Sequence, residues 1–262
     1  MLTTARRFAP TPLRPAPLRA ILPLAILLLA ATAPAPASAQ DTKPQVEGAE
    51  YDLVTTGITA AQLGYSARQE GDRYVVTARF ASTGLLALLR RVQFEATSEG
   101  LLTDTTPRPD RYAAQAEVGR RTGQTVVDYT DGTPRLTVDE PPRAPADWQI
   151  DPATQGGTVD PISALFVILR DAVPGTECNR AFRLFDGRRA TELTVGPARP
   201  GTDGTLTCDG EYRRIAGYPP EDMAERTRFP FTLTLMPTAD GRLRVTEVTM
   251  DSLIGKARLI RR

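Results

Sequence analysis

Residues 73–80 read RYVVTARF and residues 229–235 read FPFTLTL, and in both runs apolar side chains recur at every second position. Side chains of a β-strand alternate between two faces, so this pattern predicts strands with one buried and one wet face, as in antiparallel sheets. Asp-Gly pairs at 131–132, 186–187 and 240–241 punctuate such runs and predict tight hairpin turns. We therefore expect a mainly β fold, a large curved antiparallel sheet or half-barrel of about ten to twelve strands.

Two segments depart from the alternation. Gly84–Arg91 (GLLALLRR) is apolar without alternation up to its two arginines and is typical of a short helical turn. Residues 160–173 predict one capping α-helix, because Asp160 suits the N-cap, Pro161 suits the first helical position and Pro174-Gly175 ends the segment. The apolar stripe of this helix consists of Ile162, Leu165, Phe166 and Leu169. A proline-rich connection, residues 139–159, precedes it and has the length of functional or disordered loops.

Two features of the C-terminal region also carry predictions. The apolar phase of Leu243–Met250 switches between Val245 and Val248, which predicts a β-bulge. The basic run Lys256–Arg262 is compatible with contact to an anionic membrane or with an edge strand protected by charge.

The N-terminus has the three parts of a secretory signal peptide. Arg6, Arg7, Arg14 and Arg19 form a positive region without acids, Ala20–Ala33 is apolar, and Ala37-Ser38-Ala39 is a small-x-small cleavage pattern. We expect cleavage after Ala39 and a periplasmic protein, by general secretion or by a twin-arginine route. The apolar run is too short to span a membrane, so no transmembrane span is expected in the mature chain. The mature chain then comprises a flexible start, residues 40–48, and one β-rich domain, residues 49–262.

Composition excludes several classes of chemistry. Loss of four arginines with residues 1–39 changes the formal charge from +1 to −3, which disfavours nucleic-acid binding. The chain contains no histidine, so Ser-His-Asp and Cys-His catalysis and histidine-based zinc sites are absent. No other catalytic motif, phosphate loop or metal-ligand pattern appears, and we expect a protein that is not an enzyme and has no cofactor or metal. An acid–base pair of carboxylates stays open, because spacing in sequence does not reveal it.

The two cysteines, Cys178 and Cys208, both lie in the predicted mature chain. An even pair in an oxidising compartment most simply forms a disulfide, and C-x-x-C redox spacing is absent. We therefore predict a Cys178–Cys208 bond.

Candidate binding residues fall into two groups. Aromatic residues on the apolar faces would line a hollow for an acyl chain, or else pack as ordinary core. The candidates for this lining are Tyr65, Tyr74, Phe80, Phe94, Phe166, Phe229 and Phe231. Arg188 and Arg189 follow the Asp186-Gly187 turn and would contact an anion or a partner, or else be solvated charges beside a hairpin.

Several short motifs occur together in one order along the chain. They include Thr83-Gly84-Leu85-Leu86, Ser98-Glu99-Gly100, residues 160–165 (DPISAL), Cys178, residues 185–189 (FDGRR) and Cys208. Over about residues 50–259 this combination resembles an uncharacterised family of exported proteobacterial proteins, a domain of unknown function. The resemblance implies a periplasmic protein with a curved sheet and a capping helix, an architecture similar to that of periplasmic lipoprotein carriers.

Three functions follow from these observations. The first is a non-enzymatic periplasmic binding or carrier protein for an apolar ligand, a lipid or a lipoprotein acyl chain. The second is a structural or interaction protein of the cell envelope, with a filled core and an envelope protein partner. The third is an envelope hydrolase that uses two carboxylates facing one cleft.

Overall fold

The structure, a computed structural model, describes residues 43–89, 91–252 and 255–262. The predicted signal peptide and residues 40–42 lie outside these ranges. Within the described residues, thirteen antiparallel strands form one curved, unclosed sheet. The expected fold class is confirmed, with one strand more than the upper end of the predicted range.

The strands are β1 (Gln45–Thr55), β2 (Ile58–Glu70), β3 (Arg73–Ser82), β4 (Val92–Thr103), β5 (Thr106–Val118), β6 (Arg121–Thr130), β7 (Thr133–Glu140), β8 (Arg180–Phe185), β9 (Ala190–Pro200), β10 (Leu206–Ala216), β11 (Arg228–Pro237), β12 (Leu243–Ser252) and β13 (Gly255–Arg261). The helices of the described residues are α1 (Gly84–Leu89), α2 (Pro161–Leu169) and α3 (Pro220–Glu225), with a 3₁₀ turn at Pro152–Thr154.

The sheet consists of two meanders that meet at its centre. Strands β1–β7 and β8–β13 each pair in sequence order, and the first strand pairs with the last. In that central pair Tyr51 lies opposite Arg261 and Leu53 lies opposite Leu259. The expectation of an edge strand at Lys256–Arg262 was therefore wrong, because β13 lies between β1 and β12.

The edges of the sheet are β7 and β8, and the connection between them carries α2. This connection bonds to both sides of the gap: Gly157 N–H donates to the Gly132 carbonyl at 2.9 Å, and Val159 N–H donates to the Arg183 carbonyl at 2.9 Å. Residues 139–140, predicted as part of the loop, instead complete β7. The loop thus holds the two edges in fixed positions without closing the sheet.

Helix α2 begins as predicted and ends earlier than predicted. Asp160 is its N-cap, with Oδ1 accepting from the backbone N–H groups of Ile162 and Ser163 at 2.9 Å each. The helix stops at Leu169, four residues before the predicted end at Val173. Its continuation is prevented because Ala172 pairs with Leu243 as an isolated β-bridge, and this pairing requires extended backbone.

Two further strand predictions have clear outcomes. The β-bulge is present, because Thr234 pairs with Glu247 and Leu235 with Val245, which leaves Thr246 as the extra residue. The flexible segment 40–48 was predicted too long, since β1 starts at Gln45 and pairs there with Gln69.

The core lies on the face of the sheet that packs against α2. Along β3 the side chains of Tyr74, Val76 and Ala78 are buried, whereas those of Arg73, Val75 and Arg79 are exposed. The helix packs against β3, β4, β5 and β8, so it bridges the two meanders across this inner face. The alternation that predicted the strands thus also orients the core.

Candidate functional site

Three of the predicted lining residues form the filled core beneath α2. Phe166 is buried on the helix, with its ring centre 6.3 Å from that of Tyr65 and 6.0 Å from that of Tyr74. The Tyr65 hydroxyl donates to the Leu169 carbonyl at 3.1 Å. These side chains hold the helix on the sheet and do not line an empty space.

A buried polar network anchors the start of the same helix. The Asp160 carboxylate is fully buried, and its Oδ2 accepts from Ser98 Oγ at 2.7 Å and from Ser163 Oγ at 2.5 Å. The Tyr74 hydroxyl lies 2.6 Å from Ser163 Oγ. Burial raises the pKa of Asp160, while the surrounding donors lower it. Although Asp160 and Ser163 resemble a reactive pair, no substrate reaches them at this depth. Their hydrogen bonds serve to anchor the start of α2.

Sequence reasoning identified the capping role of Asp160 but missed Ser98. Ser98 comes from β4, and its hydroxyl also lies 2.8 Å from Ser163 Oγ. In the sequence, Ser98 takes an inner-face position of β4 between apolar residues, and a buried polar side chain at such a position needs a hydrogen-bond partner.

Phe80 and Phe94 form the second group and lie farther along the inner face. They are direct cross-strand partners of β3 and β4, and both rings are only half-buried. Phe80 follows Tyr74 by six positions, which places it about 20 Å along the strand from the helix anchor. Leu259 and Met250, also half-buried, extend the same face on β13 and β12. We refer to Phe80, Phe94, Met250 and Leu259 as the apolar strip.

A cavity of about 850 Å³ borders part of this strip. Its lining includes Phe80, Phe94 and Ala116 together with their polar neighbours along each strand, and the segment Glu140–Pro142 beside β7. Adjacent residues of a strand point to opposite faces, so most of the side chains that line this cavity, such as those of Gln93, Glu95 and Gln115, lie on the face opposite Phe80 and Phe94.

The remaining predicted aromatic residues lie on β11, away from these groups in the strand order. Phe231 is buried, and its ring fills the space where Gly210 lacks a side chain: a Cβ added there would lie 2.3 Å from it. Phe229 contacts Tyr212, with a ring-centre distance of 6.1 Å, and the Arg214 guanidinium lies 5.1 Å from its ring centre. The seven residues therefore do not form one lining.

The arginine pair occupies the predicted hairpin, but its two members differ. Arg188 Nε donates to Asp139 Oδ1 of β7 at 2.7 Å, so this side chain ties the hairpin to the opposite edge of the sheet. Arg189 is exposed and lies over the Tyr218 ring at 5.1 Å from its centre. Of the two, Arg189 is the more exposed.

Cys178 and Cys208 lie at disulfide-bonding distance, with their Cα atoms 6.2 Å apart. Both side chains are buried, Cys178 just before β8 and Cys208 within β10. The pair links the end of the helix-bearing connection to the second meander.

A second cavity, of about 310 Å³, lies at the C-terminal end of α2 and is bordered by the carboxylates of Asp104 and Asp171. Arg244 Nε donates to both oxygens of Asp171 at 3.0 and 3.2 Å, and Arg261 Nη1 lies 3.7 Å away. Because two guanidinium groups neutralise Asp171, we assign it a structural role.

Across residues 43–262, apart from the three positions not described, no group of three or more His, Cys, Asp or Glu side chains is arranged to hold a metal ion. In the same part of the chain no helix has the length and apolar character needed to cross a bilayer.

Comparisons with known proteins give a family. The chain is similar to the crystal structure of a β-barrel-like protein of a domain of unknown function, DUF1849, from Brucella abortus. That match has a TM-score of 0.49 and 15% identity over 82% of this chain and 94% of the other. No curated protein matches the sequence. A family model described as a protein of unknown function, DUF3108, matches residues 50–210. This match covers more than half of the chain, which therefore belongs to the DUF3108 family.

Proposed function

We propose that this protein is an exported binding or carrier protein that holds the apolar part of a lipid or lipoprotein ligand on the apolar strip. The observation that carries the proposal is the cross-strand pair Phe80–Phe94, whose rings remain half-buried on the face that elsewhere forms the core. Apolar surface left in contact with water on a recessed face favours an apolar ligand.

The two ends of the inner face differ in a way that supports this choice. Near Tyr74 the face is covered by α2, and the side chains there are buried. Around Phe80 the strip is not covered to the same extent, and its four members, which come from both meanders, are only partly buried against the core. A chain-like ligand lying along the strip would bury the rings that α2 leaves uncovered.

Export is part of the same proposal. Export is supported by the signal-like segment, residues 1–39, which has the parts of a secretory signal peptide. The Cys178–Cys208 pair also suits an oxidising compartment such as the periplasm.

The test is binding of a fluorescent fatty acid to the purified protein, together with native mass spectrometry for lipid that co-purifies. Phe80→Ala and Phe94→Ala should each weaken binding about three- to tenfold, since a ligand would bury the exposed half of a ring whose full burial contributes about 1.5–3 kcal/mol. Val75→Ala is the matched control, because Val75 is 44% exposed on the opposite face of β3. Binding by Val75→Ala should equal that of the unmodified protein.

Absence of both co-purified lipid and fatty-acid uptake would refute the proposal. Equal affinity of the Phe variants and the control would also refute it. A protein partner that co-purifies and is lost in Arg189→Glu would instead favour an interaction protein of the envelope.

A further inference from the structure

The cavity at the C-terminal end of α2 has an unusual set of charged walls. It lies between the β4–β5 turn, at Asp104 and Thr105, and the chain that follows the helix. Three guanidinium groups line it, those of Arg170, Arg180 and Arg242. Its volume of about 310 Å³ accommodates a small anion or the head of a larger ligand.

Two of these arginines already have partners. Arg170 Nε lies 3.4 Å from Glu47 Oε1, and its guanidinium lies over the Phe166 ring at 5.1 Å. Arg242 Nη1 donates to the Asp171 backbone carbonyl at 3.0 Å. The Asp171 carboxylate does not balance these charges, because Arg244 and Arg261 share it.

Arg180 differs from both. Its Nε and Nη1 atoms are buried and have no hydrogen-bond partner among the described residues. A buried N–H group without a partner is costly, and more so when it carries charge. Burial and the positive charge of Arg170 both lower the pKa of Arg180. The group is thus in a position that an added acceptor would stabilise.

The neighbouring carboxylate does not meet this need. Glu177 is buried, and its Oε2 atom also has no partner within the described part of the chain. Its negative charge would repel an anion in the cavity while leaving the guanidinium donors of Arg180 unpaired.

We propose that this cavity is an anion site that takes a carboxylate or phosphate group, with Arg180 as the principal donor and Arg170 and Arg242 in support. The planar guanidinium fork matches two oxygens of either group, and Arg180 is among the residues that line the cavity. The anion site is separate from the apolar strip, so its test does not depend on the lipid-binding proposal.

The experiment measures thermal stabilisation and calorimetric binding of the purified protein with sodium phosphate and sodium acetate, against sodium chloride at equal ionic strength. A ligand that binds the folded state raises Tm with concentration, so phosphate or acetate should stabilise the protein beyond chloride. Arg180→Gln should weaken that binding about tenfold or more, as loss of a charge-assisted pair does. Arg183→Gln, an exposed position on the same strand, is the matched control and should bind like the unmodified protein.

Glu177→Gln should change the affinity for an anion in the opposite direction to Arg180→Gln. Removing its negative charge should tighten anion binding, whereas a mere internal Glu177–Arg180 pair would make both variants less stable without any effect of phosphate. If Arg180→Gln fails to fold, Arg242→Gln should show the weakening instead.

A short-chain phosphatidate that binds more tightly than inorganic phosphate would identify a lipid head group as the source, and equal affinities would identify the free anion. No stabilisation beyond chloride, or full binding by both arginine variants, would overturn the proposal.

Discussion

At the scale of single residues, the most informative group is the carboxyl of Asp160. It lies in the core and forms no ion pair within the described part of the chain, and its oxygens accept four hydrogen bonds from Ile162, Ser163 and Ser98. Burial is the largest influence and raises its pKa. The short Ser163 contact and the nearby Tyr74 hydroxyl make it the hub of a network joining α2 to β3 and β4.

This raised pKa predicts how stability depends on pH. A carboxyl with a higher pKa in the folded than in the unfolded state stabilises the fold fully below its unfolded value, near 4, and this stabilisation is lost as pH rises through the folded pKa. Asp160→Asn, which keeps a good N-cap but cannot ionise, should therefore gain stability relative to the unmodified protein as pH rises, by at most about 1.4 kcal/mol per pH unit. Urea unfolding from pH 4 to pH 8 measures the difference.

The control for this prediction is Asp151→Asn. Asp151 also caps a helical turn, since its Oδ1 accepts from Ala153 N–H at 2.9 Å, but it is exposed. Parallel pH curves for Asp160→Asn and the unmodified protein would show that burial does not perturb this carboxyl.

At the scale of elements, local signals predicted the start of α2 better than its end. The N-cap at Asp160 and the Asp186-Gly187 hairpin follow from side chains that bond to their own backbone: Asp186 Oδ1 accepts from Arg188 N–H at 2.8 Å. The end of α2 depends instead on Ala172 pairing with Leu243, 71 residues away. No pattern within 160–173 reports that contact.

The same hairpin offers a test of how closely the two edges of the sheet approach. Gly187 has φ +93°, and an added Cβ would lie 2.6 Å from Thr125 Cγ2 and 3.0 Å from Val127 Cγ2 on β6. Gly187→Ala should lose about 1–2 kcal/mol from the left-handed backbone and about 1–3 kcal/mol more from overpacking. Gly241→Ala shares the positive φ, +78°, but has open space around it, so it should show the backbone cost alone. Equal losses of unfolding free energy would mean that the hairpin does not pack on β6.

At the scale of the whole molecule, contacts between distant segments hold the two meanders together. The β1–β13 pair joins the ends of the described chain, and the Cys178–Cys208 pair joins the helix-bearing connection to β10. Asn179 N–H also donates to the Gly196 carbonyl at 2.9 Å, so backbone bonds support the same junction.

Loss of the cysteine link should lower stability without changing the fold. The two residues are 30 apart in sequence, and closing a loop of this length stabilises a protein by about 4 kcal/mol in the chain-entropy model. The double variant Cys178→Ala/Cys208→Ala should show this loss in urea unfolding, and a reductant should lower the unmodified protein to the same level. The double variant should not respond to the reductant. Unchanged unfolding of the unmodified protein in reductant would contradict a stabilising bond.

The candidate site was predictable only in part. Alternation correctly placed Phe80, Phe94 and Tyr74 on one face, because the period of a strand is local. It did not reveal that α2 covers Tyr74 and leaves Phe80 half-exposed, or that Phe229 lies with Tyr212 instead. The Arg180 cavity gave no signal in sequence, because its walls come from the β4–β5 turn, the end of α2 and the starts of β8 and β12.

The sequence by itself determined the antiparallel sheet, its turns, the bulge in β12, the start of α2 and the partnership of the two cysteines. These features depend on backbone geometry, local hydrogen bonds and the number of thiols, all of which act within a few residues or by simple count. Only the tertiary structure decided that the last strand is central, that Asp160 is buried among hydroxyls, and that Arg180 lacks partners. Those features arise from packing between segments far apart in sequence, where burial and pairing depend on which surfaces meet.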